Sequence, residues 1–214
     1  MLFDGGSFIH TDPTTGARFE PKGPTLAASF KAIHFDAREG NAAALAESAR
    51  NPNIAPLAVA WLSGMAWESQ RTAGFKAWLV WEGVGTKAYQ HFLNNAEMPV
   101  QVIVRTRIEL AQALEPRRGA PLMIRWLGGG GYNLVPDIAV AANGDTLFDV
   151  GSTTQSGGIE WLVRKIGADK LFLASNAPLC FDRAAPALLA GANLDEESRT
   201  MIEEGTLRRV LAQC

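Results

Sequence analysis

The sequence predicts an α/β protein, a compact (β/α)8 TIM barrel forming a single domain over residues 1–214. Three observations predict it. Short apolar runs alternate with helix-like segments along the whole chain, the pattern of a parallel sheet. Eight such runs can be counted, which is the number a closed parallel barrel needs, and 214 residues lie near the lower size of such barrels, roughly 200. No low-complexity stretch or long linker divides the chain. An open doubly wound sheet is the alternative arrangement of the same elements.

Each element has a local reason. Leu2 to Ile9 is the first expected strand. A short helix is expected around Leu26 to Phe30, with Lys31 to Phe35 as the second strand. An Ala-rich helix from Asn41 to Arg50 ends at Asn51-Pro52, where proline cannot continue it. Ile54 to Leu62, nearly all apolar, reads as a strand buried on both faces. Phe75 to Trp81 is the fourth strand, followed by a helix near Thr86 to Asn95. Pro99 to Arg105 is the fifth, followed by a helix from Ile108 to Glu115. Pro121 to Trp126 is the sixth; after it come Gly128 to Gly131 and a helix near Leu134 to Ala142 that stops at Asn143-Gly144. Thr146 to Val150 is the seventh strand, and the helix Gly158 to Ile166 stops at Gly167. Lys170 to Ala174 is the eighth. Helices around Arg183 to Ala190 and Asp195 to Ala212 close the chain.

Composition excludes several classes. Lys plus Arg total 20 and Asp plus Glu total 22, a formal net charge of −2 with 47% apolar residues. Such a balance is that of an ordinary globular domain. It provides no basic stripe, so nucleic acid is not an expected partner. No apolar run reaches the ~18 to 20 residues that span a bilayer, so no membrane association is expected. Met1 to Gly6 lacks the basic start and apolar stretch of a secretory leader. The two cysteines, Cys180 and Cys214, make neither a metal-ligand spacing nor a disulfide framework, so a cytoplasmic location is expected.

The last quarter of the chain carries a resemblance. Gly167-Ala168-Asp169-Lys170, then Leu171-Phe172-Leu173-Ala174, then Ser175-Asn176-Ala177-Pro178, resembles the end of the metal-dependent amidohydrolase family, in its amidohydrolase, decarboxylase and lactonase branch. That branch reads Gly-Ala-Asp-Arg, an apolar strand, then Gly-Ser-Asp-x-Pro. Met201 to Leu211 is similar to the closing helix of the family. Ala73 to Leu79, Pro99 to Ile103 and Arg125 to Gly129 are similar to its fourth, fifth and sixth strands.

The resemblance implies a divalent metal, zinc or manganese, that activates water or polarises the substrate. It also implies ligands: His-x-His on strand one, a histidine each on strands five and six, and an aspartate on strand eight. Here Gly6 and Phe8 stand in the first two positions, Ile103 in the third, Trp126 in the fourth and Asn176 in the fifth. Gly, Phe, Ile and Trp offer no lone pair to a metal, and Asn176 keeps an oxygen without the charge. The expectation is therefore a barrel with no metal cofactor, in which Phe8, Ile103 and Trp126 point inward and fill the vacated space.

Other residues are candidates for a relocated site. His34, Asp36 and Glu82 could act as acid or base, with His10 nearby; the alternative for His34 and Asp36 is an ordinary hydrogen-bonded loop. Arg105, Arg107 and Arg125 could grip a carboxylate, or form surface ion pairs. Gly128 to Gly131 could form a nest of amides for an anion. Ser152 and Ser175 have no histidine near them in sequence. Cys180 reads as a small buried side chain and His91 as a solvated or capping one. Trp61, Trp78, Trp81 and Trp126 fall in strands or at their ends, with Trp67 just beyond one, either plugging the barrel mouth or forming an apolar contact surface.

The functional expectation is a non-catalytic amidohydrolase-like subunit that supports or regulates an active partner, itself a related metal-dependent hydrolase, in a homo- or hetero-oligomer. The alternatives are a metal-independent hydrolase or lactonase, and a binder of a small carboxylate-bearing molecule.

Overall fold

The structure is a computed structural model, and it describes residues 2–62, 73–117, 119–127, 144–180 and 183–212. Eight parallel strands run in sequence order around a barrel: β1 (Asp4–Ile9), β2 (Thr25–Ser29), β3 (Ile54–Ala60), β4 (Ala77–Val80), β5 (Val100–Val104), β6 (Leu122–Trp126), β7 (Thr146–Asp149) and β8 (Leu171–Phe172). Each pairs with the next. The circuit is completed just beyond β8. The Gly5 amide donates to Leu173 O at 2.6 Å, the Asn176 amide to Gly6 O at 2.9 Å, and the Phe8 amide to Ala177 O at 2.7 Å.

The helices among the described residues are α1 (Phe30–His34), α2 (Ala37–Arg50), α3 (Lys87–Asn95), α4 (Arg107–Ala113), α5 (Gly158–Ile166), α6 (Ala184–Gly191), α7 (Glu196–Thr200) and α8 (Thr206–Leu211). A π-helical turn, Met201–Gly205, joins the last two. One closing helix was expected there, and the wider turn is a local widening of it. The expected 134–142 helix, the Gly128 to Gly131 run, Trp67 and Cys214 lie outside the described residues.

One assignment is reversed. The segment Thr25–Ser29 is strand, and Phe30–His34 is helix. The Leu-Ala-Ala run has high helix propensity, but it lies between β1 and β3, fully buried. Tertiary pairing therefore overrides propensity. Ser29 then caps α1, its Oγ accepting from the Lys31 amide.

Two apolar layers follow from strand periodicity. Inward residues fill the axis, among them Phe8, Leu26, Leu57, Leu79, Ile103, Met123 and Phe172. Outward ones, such as Trp78, Val102, Ile124 and Leu171, pack under the helices. No helix separates β1 from β2. Residues 10–24 form a loop there, with one isolated bridge between Thr11 and Arg18.

Candidate functional site

The barrel axis contains a buried cation. Arg125 is inward on β6 and fully buried. Its Nε and Nη2 donate to Asn176 Oδ1 at 3.0 and 2.6 Å, and Nη1 donates to Gln101 Oε1 at 3.0 Å. Gln101, inward on β5, donates in turn to Gly5 O. The guanidinium also lies 5.1 Å from the Phe8 ring centroid, a cation–π contact. Burying a charge without partners is very costly, so this set of acceptors is what lets Arg125 sit where it does.

Two carboxylates complete the charge balance. Asp149, at the end of β7, accepts from the Gly151 amide at 2.7 Å and the Ala174 amide at 2.9 Å, and from Asn176 Nδ2 at 3.4 Å. Burial pushes its pKa up to about 6, against the opposing pull of its hydrogen bonds and of Arg125. Burial likewise pushes Arg125 down to about 10, against the attraction of Asp149 and Asp4, so it stays protonated at neutral pH. Asp4 is held by the Gly6 and Ser175 amides and by Ser175 Oγ at 2.6 Å. Its carboxyl is raised by burial, which outweighs those bonds.

Gly6 and Asn176 owe their identities to this arrangement. A Cβ at Gly6 would overlap the Arg125 guanidinium, so glycine is required by close approach. Asn176 has a φ of 56°, a left-handed conformation that asparagine tolerates better than most residues. That turn aims Oδ1 at Arg125.

The expected slots can now be placed. Phe8 and Ile103 face the axis, as expected, and are fully buried. Trp126 does not. It packs on the helix side, partly buried against Val104, Ile124 and their neighbours. The physical reason is strand parity: β6 turns Met123 and Arg125 inward, so Trp126 faces outward. The inward position at the C-terminal end of this strand is thus held by Arg125, one of the three arginines expected to grip a carboxylate.

The mouth of the barrel is aromatic. Phe8 stacks on Phe30 at 5.1 Å, Phe30 on His34 at 5.9 Å, His34 meets Trp81 edge-on at 6.3 Å, and Trp81 meets Phe8 edge-on at 5.4 Å. Trp61 also packs on this inner layer, its Nε1 donating to Ala32 O at 2.8 Å. Trp78 instead lies outside the strands against Phe92.

The other candidates scatter. Arg105 sits over the Trp81 ring at 4.6 Å, and Nη1 donates to Trp81 O. Arg107 is exposed at the start of α4. The three arginines thus occupy axis, rim and outer helix, and form no shared grip. Asp36 is the N-cap of α2, accepting from the Glu39 amide at 2.8 Å. Glu82 is exposed beside a small cavity of about 120 Å³ also lined by Trp61 and Trp81. His10 bonds Ser29 Oγ, and His91 is exposed on α3. Cys180 is exposed rather than buried, because the chain leaves the barrel after Asn176 and reaches the surface at Leu179. Ser152 Oγ donates to Trp126 O.

Gln101 and Asp149 were missed in the sequence, although a signal existed. Each interrupts an apolar strand, Val-Gln-Val-Ile-Val and Thr-Leu-Phe-Asp, and a polar residue there is buried and needs a partner.

These residues do not fit a divalent metal. Among the described residues, no three His, Cys, Asp or Glu side chains cluster as ligands. The oxygens of Asn176 and Gln101 are already engaged by a guanidinium, and that guanidinium fills the space over Gly6. A second cation there would be repelled at short range in a medium of low dielectric.

As a fold, this is the barrel of the amidohydrolases and of decarboxylases built on the same scaffold. Solved structures similar to it include an amidohydrolase from Burkholderia multivorans, at TM-score 0.74 and 12% identity over 99% of each chain. The 2,6-dihydroxybenzoate decarboxylase from Rhizobium gives 0.69 and 13% over 99% of each chain, and it is also seen complexed with 2,6-dihydroxybenzoate. Amidohydrolase 2 from Bifidobacterium longum subsp. infantis gives 0.69 and 13%, over 99% of this chain and 98% of that one. No protein-family model and no curated protein matches the sequence. Among the described residues, no helix is long and apolar enough to cross a membrane.

Proposed function

We propose that this chain is a non-catalytic, metal-free barrel of the amidohydrolase kind, serving as a subunit that supports or regulates a related, metal-dependent hydrolase. The observation that carries the reading is the Arg125 guanidinium over Gly6, held by Asn176 and Gln101 beneath the Phe8 and Trp81 rings. A protein-borne cation occupies the space over the first ligand slot of strand one, and aromatic rings cover it. The partner is supported by the rim. Phe35, Ile108 and Leu179 are large apolar residues with 64%, 71% and 41% exposure, and each follows the C-terminal end of a strand, where barrel loops gather.

Affinity purification of the tagged chain from its native cell, followed by mass analysis, tests the reading. The expected result is a stoichiometric complex with a second barrel protein that carries a full ligand set. A stable monomer that captures no such partner would overturn it, as would turnover of amide or lactone substrates by the pure chain that His34→Ala abolishes.

A second reading, a metal-independent hydrolase or a binder of a small carboxylate, has one observation in its favour. Arg105 is only partly buried on the rim, stacked on Trp81 next to the exposed His34. Binding of a small carboxylate that Arg105→Gln removes would support it.

A further inference from the structure

On the outer side of β1, away from Arg125, the fold leaves a cavity. Helices normally cover the outside of every strand in this architecture, but between β1 and β2 only the loop of residues 10–24 does so. The cavity under that loop measures about 290 Å³. Leu2, Phe19, Pro24, Leu173 and Pro186 form apolar walls. Its buried end carries the Asp4 carboxyl and Ser175, which are hydrogen-bonded to each other. Its outer end carries Lys22 and Arg183, both exposed, and neither is paired with a carboxylate among the described residues.

We propose that this cavity binds a small monocarboxylate with a compact apolar body, the size of one ring. Volume sets the size, since a dry cavity of about 150 Å³ already accepts a benzene ring. Charge sets the orientation. Two cations at the outer end attract a carboxylate, while the inner end, closed by the Asp4 carboxyl and Ser175, offers it no positive charge. The ligand therefore enters with its apolar body inward and its charge at the rim. This is the usual construction of a small-molecule site, mostly apolar with a few placed polar groups. It borders the surroundings of Arg125 at Asp4 and Ser175, but its charged end, Lys22 and Arg183, has no part in the reading given for the axis.

Titration calorimetry of the full chain with benzoate, and with its neutral isostere benzamide, tests the proposal. Benzoate is expected to bind at least about tenfold more tightly than benzamide, as charge-assisted contacts imply. The double variant Lys22→Gln, Arg183→Gln is expected to lose about tenfold in benzoate affinity with its ligand-free melting temperature unchanged. Gly23→Val is the second probe. Gly23 lines the cavity, its φ is ordinary, and the nearest atom to an added Cβ is Leu2 O at 3.4 Å, so a side chain there takes up ligand space. Equal binding of benzoate and benzamide, benzoate affinity unaltered in both variants, or no binding of benzoate at all would each overturn the proposal.

Discussion

Arg125 owes its position to a small set of acceptors, and its value to the molecule can be measured one residue at a time. Replacing it with Met leaves Asp149 buried without its counter-charge and frees the Asn176 and Gln101 oxygens. Leaving a buried acceptor unsatisfied costs about 1 to 3 kcal/mol, and two are left here, so Arg125→Met is expected to lower stability by about 2 to 6 kcal/mol in urea denaturation. Arg125→Lys keeps the charge but not the forked donor geometry, and is expected to fall between the two. Asp149 gives a pH signature. Its folded pKa, about 6, lies above the ordinary 3.8. The stabilisation linked to its protonated form is therefore complete below about pH 4 and is lost as the pH rises through 6. About two pKa units correspond to about 3 kcal/mol. Relative to Asp149→Asn, the parent protein is expected to lose stability by roughly that amount between pH 4 and pH 7, as read from thermal melts.

Helix entry decides a question of role at the scale of the element. Asp36 was a candidate acid or base, but it caps α2 through the Glu39 amide. Asparagine caps about as well as aspartate, whereas alanine does not. Asp36→Asn is thus expected to leave stability unchanged, and Asp36→Ala to cost about 1 kcal/mol in chemical denaturation. A large loss in the Asn variant would count against the capping role. The crossing of α1 and α2 has its own requirement. A Cβ on Gly40 would overlap the backbone of Ala32, so Gly40→Ala is expected to destabilise the pair by forcing the helices apart. A shift of the urea midpoint to lower concentration measures it.

For the whole molecule, the axis is where the fold and the expected chemistry part. The barrel matches solved amidohydrolases and a decarboxylase over nearly its full length, while its axis holds a guanidinium bonded to the amide oxygens of Asn176 and Gln101. On the reading proposed above, the internal cation is the Arg125 side chain and the fold needs no chelatable one. The melting temperature of the purified chain is expected to be the same with and without excess chelator, and elemental analysis is expected to find less than one equivalent of zinc or manganese. Ligands that bind only the native state raise the melting temperature, so a marked fall on chelation would contradict this reading.

Much of the architecture was legible because it rests on periodicity. Apolar runs such as Ile54 to Leu62 and Pro99 to Arg105 announce buried strands, and proline or glycine stops such as Asn51-Pro52 and Gly167 mark where helices end. The inward placing of Phe8 and Ile103 was legible too, since strand alternation sets it, and neither has a side chain that coordinates a metal. Thr25–Ser29 was not legible, because Leu-Ala-Ala favours a helix until two neighbouring strands demand a third between them. Nor was the role of Arg125. Sequence places it in a strand, but only the closed barrel brings β1, β5, β6 and the turn after β8 to one point. There the strand's parity turns Arg125 inward and Trp126 outward, and the absence of a Cβ at Gly6 gives the guanidinium room.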